Sequence, residues 1–439
     1  MWRGSAPDAA LTAEIQRLAR SLRTAADLDP LIDLIGDSRY VLLGESSHGT
    51  SEFYRWRTEI SRRLIEEKKF SFIAVEGDWP DCYSVNRFVK GNGSETAEEV
   101  LHAFARWPTW MWANREVVEL TEWLRAHNDP LPADRKAGFF GLDVYSLWES
   151  MHHVIEYLDR MDPEMARAAR SAYSCFEPYD EDAHEYARAT ALVPASCEDE
   201  AVRILSSLRS RSADLADEGP DAFFDAEQNA LVARNAELYY RTMVRGGAAS
   251  WNVRDHHMVE TLYRLMHHHG PEAKAIVWEH NTHIGDARFT DMARSGMVNV
   301  GQLVRQAHEG DGVVLVGLGT RRGTVIAARE WGAPMERMRV PEPRTGSYED
   351  AFAIANVGDS LTLFEDSGAG AKELSEPRGH RAIGVVYDPR TEHWGNYVPT
   401  ILPRRYDAFV FIEESSAVDP LHMPVVIDGE LPETFPSGQ

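Results

Sequence analysis

Long apolar runs are missing from this 439-residue chain. None approaches the ~18 residues that a membrane-spanning helix requires. The first ten residues, M-W-R-G-S-A-P-D-A-A, hold no basic segment followed by an apolar one, so no secretory leader is expected. Basic residues are also short: 46 Lys and Arg face 70 Asp and Glu, a formal charge of −24. Nucleic acid and anionic membrane both call for basic patches, and neither is expected as a partner. Cysteine is scarce. Cys82, Cys175 and Cys197 match no disulfide framework and no zinc-ribbon spacing. They read as reduced thiols of a cytoplasmic protein.

Several reactive-site signatures are absent too. No phosphate-binding glycine loop stands where a nucleotide fold needs one, and there is no H-E-x-x-H. Gly44-Glu45-Ser46-Ser47-His48 puts histidine where a nucleophile elbow has its second glycine. No cofactor is therefore expected, and nothing in the sequence sets an oligomeric state.

What is present is an ordinary globular composition, 43% hydrophobic and 26% charged. After an amphipathic helix carrying Leu11, Ile15, Leu18 and Leu22, short apolar runs alternate with helical patterns. Strands are predicted at 39–43, 70–75, 137–142, 274–278, 313–317, 323–328, 360–364, 382–387 and 408–412. A helix is predicted over 51–69, which lacks Gly and Pro and begins at a hydroxyl residue. Between about 150 and 270 strand runs vanish and long helical patterns take over. The predicted fold is α/β, a mostly parallel central sheet covered by helices on both faces. The predicted organisation is a first core segment at 1–149, a helical insertion forming a cleft at 150–270, and a second core segment with a loose tail at 271–439.

The chemistry gathers at strand ends. Four of the first five predicted strands run into ionisable residues: Glu45 and His48, Glu76, Asp143, then His280 and His283 around Asn281. Ligands of open parallel sheets bind outside the strands' carboxyl ends, which makes one shared site the expected reading. A carboxylate near an imidazole can fix its tautomer and keep it basic. Histidine titrates near neutrality and suits general-base work. Arg57, two turns into the following helix, is a candidate for oxyanion or carboxylate binding. The H-x-x-H pair leaves metal as an alternative. Trp110 and Arg115, in the aromatic-rich stretch A-R-W-P-T-W-M-W-A-N-R-E, are candidates for a substrate wall.

These residues carry a resemblance. The runs V-L-L-G-E-S-S-H-G-T, F-I-A-V-E-G-D-W, A-R-W-P-T-W-M-W-A-N-R-E, G-L-D-V-Y-S-L-W, V-W-E-H-N-T-H-I-G-D-A-R and Y-V-P-T-I-L-P resemble the erythromycin esterase family, in order, over most of the chain. The W-E-H-N-T-H run is more similar to its esterase-like or succinoglycan-biosynthesis-like branch than to the antibiotic-resistance enzymes. The resemblance implies a parallel-sheet α/β core with added helices around a deep cleft. It implies a carboxylic ester hydrolase acting on a small-molecule ester or lactone of macrolide type, without a covalent acyl-enzyme and without an obligatory metal. Its G-E-x-x-H motif falls on Glu45 and His48, with His48 as the base that activates water. The helix arginine falls on Arg57, the strand-end glutamate on Glu76, and the H-N-x-H motif on His280 and His283.

Overall fold

The computed structural model describes residues 9–179, 183–192, 196–215, 219–244, 247–364 and 372–422. The predicted loose C-terminal tail lies outside the described residues. Among the described residues eleven strands are present: β1 (Arg20–Ser21), β2 (Tyr40–Leu43), β3 (Phe72–Val75), β4 (Gly138–Gly141), β5 (Ala275–Trp278), β6 (Val313–Ala327), β7 (Glu336–Val340), β8 (Ser360–Leu363), β9 (Arg378–Arg381), β10 (Tyr397–Thr400) and β11 (Ala408–Ser415). Nine of them form one sheet in the order β1-β8-β11-β6-β2-β5-β3-β4, with β7 hydrogen-bonded to β6; β9 and β10 form a separate pair. The five pairings from β11 to β4 are parallel. Those of β1, β7 and β8 are antiparallel.

The sheet is apolar on both faces. Along β2, Val41 and Leu43 enter one core layer while Tyr40 and Leu42 enter the other, the alternation that a pleated strand imposes. Helix Ser51–Lys68 follows β2 and ends at Lys69, whose φ of 62° takes the left-handed conformation that closes many helices.

Two strand expectations change. The predicted strands at 313–317 and 323–328 are one strand, Val313–Ala327, because parallel pairing with β11 extends from Ala408 against Val316 to Ser415 against Gly323. The segment 382–387 is not a strand. It makes isolated bridges through Ile383 to Ser47 and through Val386 to Ala328. Regular pairing occurs just before it, in β9.

No strand is present among the described residues between β4 and β5. Helices fill that interval, from Leu147–Met161 to Ala248–His269, and most of them pack on a separate apolar cluster around Val154, Phe176, Leu208 and Tyr239. Within it Cys175 and Cys197 form a disulfide, while Cys82 is free and buried. This corrects the reading of three reduced thiols: sequence spacing carries no information about spatial approach. A cross-link 22 residues apart in sequence restrains the unfolded chain by about 3 kcal/mol in the loop-entropy view. Cys175→Ser with Cys197→Ser is therefore expected to lower the midpoint of thermal unfolding without changing ester turnover, as read by calorimetry beside an activity assay. No described helix is long and apolar enough to cross a membrane.

Candidate active site

The sheet register brings the strand ends together. Leu43 lies opposite Trp278, Trp278 opposite Val75, and Val75 opposite Gly141. The residues that follow, Glu45, Glu76, Asp143 and the His280–His283 turn, therefore leave the sheet at one level. Close backbone approach at this edge needs glycine. A Cβ on Gly44 would stand 2.1 Å from Asn281 Oδ1, and one on Gly49 would stand 2.1 Å from the Ile326 carbonyl oxygen. The two glycines that bracket Glu45–His48 thus let the loop lie between the His280 turn and β6.

Glu45 links His48 and Arg57. Its Oε1 accepts from His48 Nδ1 at 3.0 Å, and its Oε2 accepts from Arg57 Nη2 at 2.7 Å. Arg57 is fully buried, its guanidinium packed over the Tyr54 and Trp278 rings at 4.5 and 4.6 Å. His48 lines a cavity of about 70 Å³ at the strand ends, and its second nitrogen, Nε2, is not engaged by Glu45. Burial opposes charge on His48, but Glu76 and the hydrogen bond to Glu45 outweigh it and raise the imidazole's pKa above its ordinary value. The ring stands 4.9 Å from that of His280, which burial first, then His48, keep neutral.

A second network adjoins the first and centres on a residue absent from the sequence expectations. Arg254, on helix Ala248–His269, donates to Asp143 at 2.9 and 2.6 Å and to Glu76 Oε1 at 2.7 Å. Its Nη1 is 3.1 Å from His283 Nε2. The next residue, Asp255, accepts from His283 Nδ1 at 3.0 Å, and Trp251 stacks on the His283 ring at 4.4 Å. Burial opposes charge on Arg254, but Asp143, Tyr145 and Glu76 more than compensate. Burial likewise favours neutral Glu76, yet His283, Arg254 and His48 hold its carboxyl well below the usual range. Glu279, at the end of β5, contrasts with it. Both its oxygens are buried without partners, and burial followed by Glu76 and Asp255 push its carboxyl well above the usual range.

The cavity is lined by His48, Glu76, Asp143 and Arg254, with Asp78, Asp81, Arg106, Tyr145 and the rings of Trp107, Trp112 and Trp331. Other expected site residues stand elsewhere. Arg57 is behind Glu45 and does not reach the cavity. His280 and His283 are buried under it. Asn281 anchors its turn, giving its side-chain N–H to Leu318 and its backbone N–H to Glu45. Trp110 packs edge-on against Trp107 in the core. Arg115 is half-exposed and pairs with Glu98, because the helix that begins there turns it to solvent. Ser46 and Ser47 are buried and line no part of the cavity. Among the described residues, no three His, Cys, Asp or Glu side chains converge as a metal-holding group.

This pattern has relatives. The profile of the erythromycin esterase family matches residues 65–415. The chain belongs to that family. An Escherichia coli protein named erythromycin esterase type II is 24% identical over 362 residues, 77% of this chain and 84% of its own length. The crystal structure of a succinoglycan biosynthesis protein superposes with a TM-score of 0.77 at 20% identity, covering 93% of this chain and 98% of that one. An erythromycin esterase mutant in its open conformation gives 0.66 at 17% identity, covering 96% of this chain and all of that one. Both share the fold described above. Membership in the family supports a hydrolase of esterase type.

Proposed function

We propose that the chain hydrolyses an ester or lactone by direct attack of water, with His48 as general base. The observation that carries this reading is the buried Arg57–Glu45–His48 chain, which ends at the cavity. Arg57 holds Glu45, and Glu45 holds the Nδ1–H tautomer, leaving Nε2 to take a proton from water. The resulting hydroxide adds to the acyl carbon. Arg254, fixed by Glu76, Asp143 and His283, lines the same cavity and stabilises the developing oxyanion. In this reading it takes the part that the sequence assigned to Arg57, and His283 with Asp255 positions it. The tetrahedral adduct then expels the alcohol, which recovers the proton from the His48 imidazolium.

A cavity of about 70 Å³ is well below the ~300 Å³ that drug-sized ligands occupy. It receives the ester group and its nearest substituents.

The test is hydrolysis in 18O-labelled water over macrolactones and aryl esters. One solvent oxygen in the acid product is expected, with no acyl-enzyme at any time point in intact-protein mass spectra. The acid limb of kcat/KM is expected above the ordinary imidazole value of ~6.5, because His48 works as the neutral base and its pKa is raised. A trapped acyl-serine, or product without solvent oxygen, overturns the reading.

A further inference from the structure

The mechanism above leaves part of the cavity wall unused. Asp78 and Asp81 line it together with Arg106, Trp107, Trp112 and Trp331. Asp78 precedes helix Trp79–Val89, yet its side chain makes no capping hydrogen bond. That side chain is only 10% exposed. Its Oδ2 meets Arg106 at 3.3 Å, and its Oδ1 is buried without a hydrogen-bond partner. Asp81, one turn further on, forms no hydrogen bond or ion pair among the described residues, although it borders the same space. Glu149 adds a third negative charge close enough to raise the carboxyls of both.

Carboxylates crowd this wall. Arg254 is engaged by Glu76 and Asp143. Arg106 pairs with Asp78, and its guanidinium is held over the Tyr145 ring at 4.7 Å. Burial, then Glu149, pushes Asp81 up to about 6. Burial pushes Asp78 up to about 8 against the pull of Arg106. A positive group entering the cavity would let both ionise. The walls indicate which kind. A hard divalent ion wants six or more oxygen ligands, whereas indole faces favour a diffuse organic cation beside a carboxylate.

We infer that the substrate of this site carries a cationic ammonium group, which Asp78 and Asp81 hold against the tryptophans of the cleft. The inference rests on the proposed hydrolase site for calling the ligand a substrate. The ammonium end anchors the molecule, and the ester lies toward His48.

The test uses binding rather than turnover. Choline and 3,3-dimethylbutan-1-ol have the same shape and differ in charge. Each is titrated calorimetrically into the full chain and into Asp81→Asn. The expected result is a preference for choline of roughly tenfold or more, from the cation–π and charge terms together. In Asp81→Asn the preference falls severalfold while the melting transition is retained. Equal affinity for the two compounds, or no choline binding at millimolar concentration, overturns the inference, and this comparison needs only the unaltered protein. A choline preference that Asp81→Asn leaves intact overturns it as well. A choline preference in a protein that incorporates no solvent oxygen into any ester product retains the ammonium site and removes the hydrolase reading, so the two failures are distinct.

Discussion

Replacing His48 with glutamine is expected to lower kcat/KM on the true substrate by about 10²–10⁴, the usual worth of a positioned general base. Glutamine can still donate an amide hydrogen bond toward Glu45, so the Arg57–Glu45 pair keeps a partner. It cannot accept a proton from water. Stability should therefore change by no more than about 3 kcal/mol, the upper end for one altered hydrogen bond to a charged group. Loss of turnover with a retained melting transition separates chemistry from folding. Arg115→Ala is the matching control. Its pair with Glu98 is half-exposed on both sides, and such pairs contribute about 0–1 kcal/mol. It should leave both turnover and melting unchanged. Full activity in His48→Gln would remove His48 from the base role and leave the buried relay without a catalytic purpose.

The parallel sheet and one half of the site were legible because each rests on local pattern. Apolar runs such as Y-V-L-L and F-I-A-V are short, bounded by polar residues, and buried on both faces, and a parallel sheet requires this. Glu45, His48, Glu76 and Asp143 follow such runs directly, so the rule about strand carboxyl ends reaches them without any tertiary information. The sequence points Arg57 at the sheet edge, and in the structure it reaches Glu45 without lining the cavity. Helical spacing places it facing the sheet, and only three-dimensional packing shows that Glu45 stands between it and the cavity.

Arg254 and Asp255 were not found because they belong to no motif and lie 111 and 112 positions beyond Asp143 in sequence. A weaker signal was present. On helix Ala248–His269, Trp251, Arg254, Asp255, Met258 and Leu262 are all buried and recur at the spacing of one helix face. Two adjacent charges on an otherwise apolar stripe need partners, and the nearest unspent carboxylates and imidazoles were those at the strand ends. His257 is spent within the fold, on Asn235 and the Asp143 carbonyl. Aromatic density was likewise ambiguous. Of the W-P-T-W-M-W tryptophans, Trp107 and Trp112 line the cavity while Trp110 does not, a distinction set by loop geometry rather than composition.

Arg254→Met should be the most destabilising single change near the site, at about 3–5 kcal/mol near neutral pH. It strands buried carboxylates that have no other full counter-charge. The side chain is 4% exposed, and methionine fills most of the stem's volume, so lost packing is a small part of the cost. The pH dependence identifies the cause. In the unaltered protein Glu76 is held below its unfolded value. Its contribution is therefore present above that value and is lost as pH falls toward the folded one. In the variant, burial of Glu76 is opposed less, and its folded pKa moves up. The variant therefore loses less Glu76 stabilisation on acidification than the unaltered protein does. The two stability curves must then converge as pH falls below the unfolded value of 4.5, measured by urea unfolding at each pH. A deficit that stays constant over that range would show that Arg254 supports the fold by packing alone. The positioned cation assigned to it in the ester reaction would then lose its physical basis.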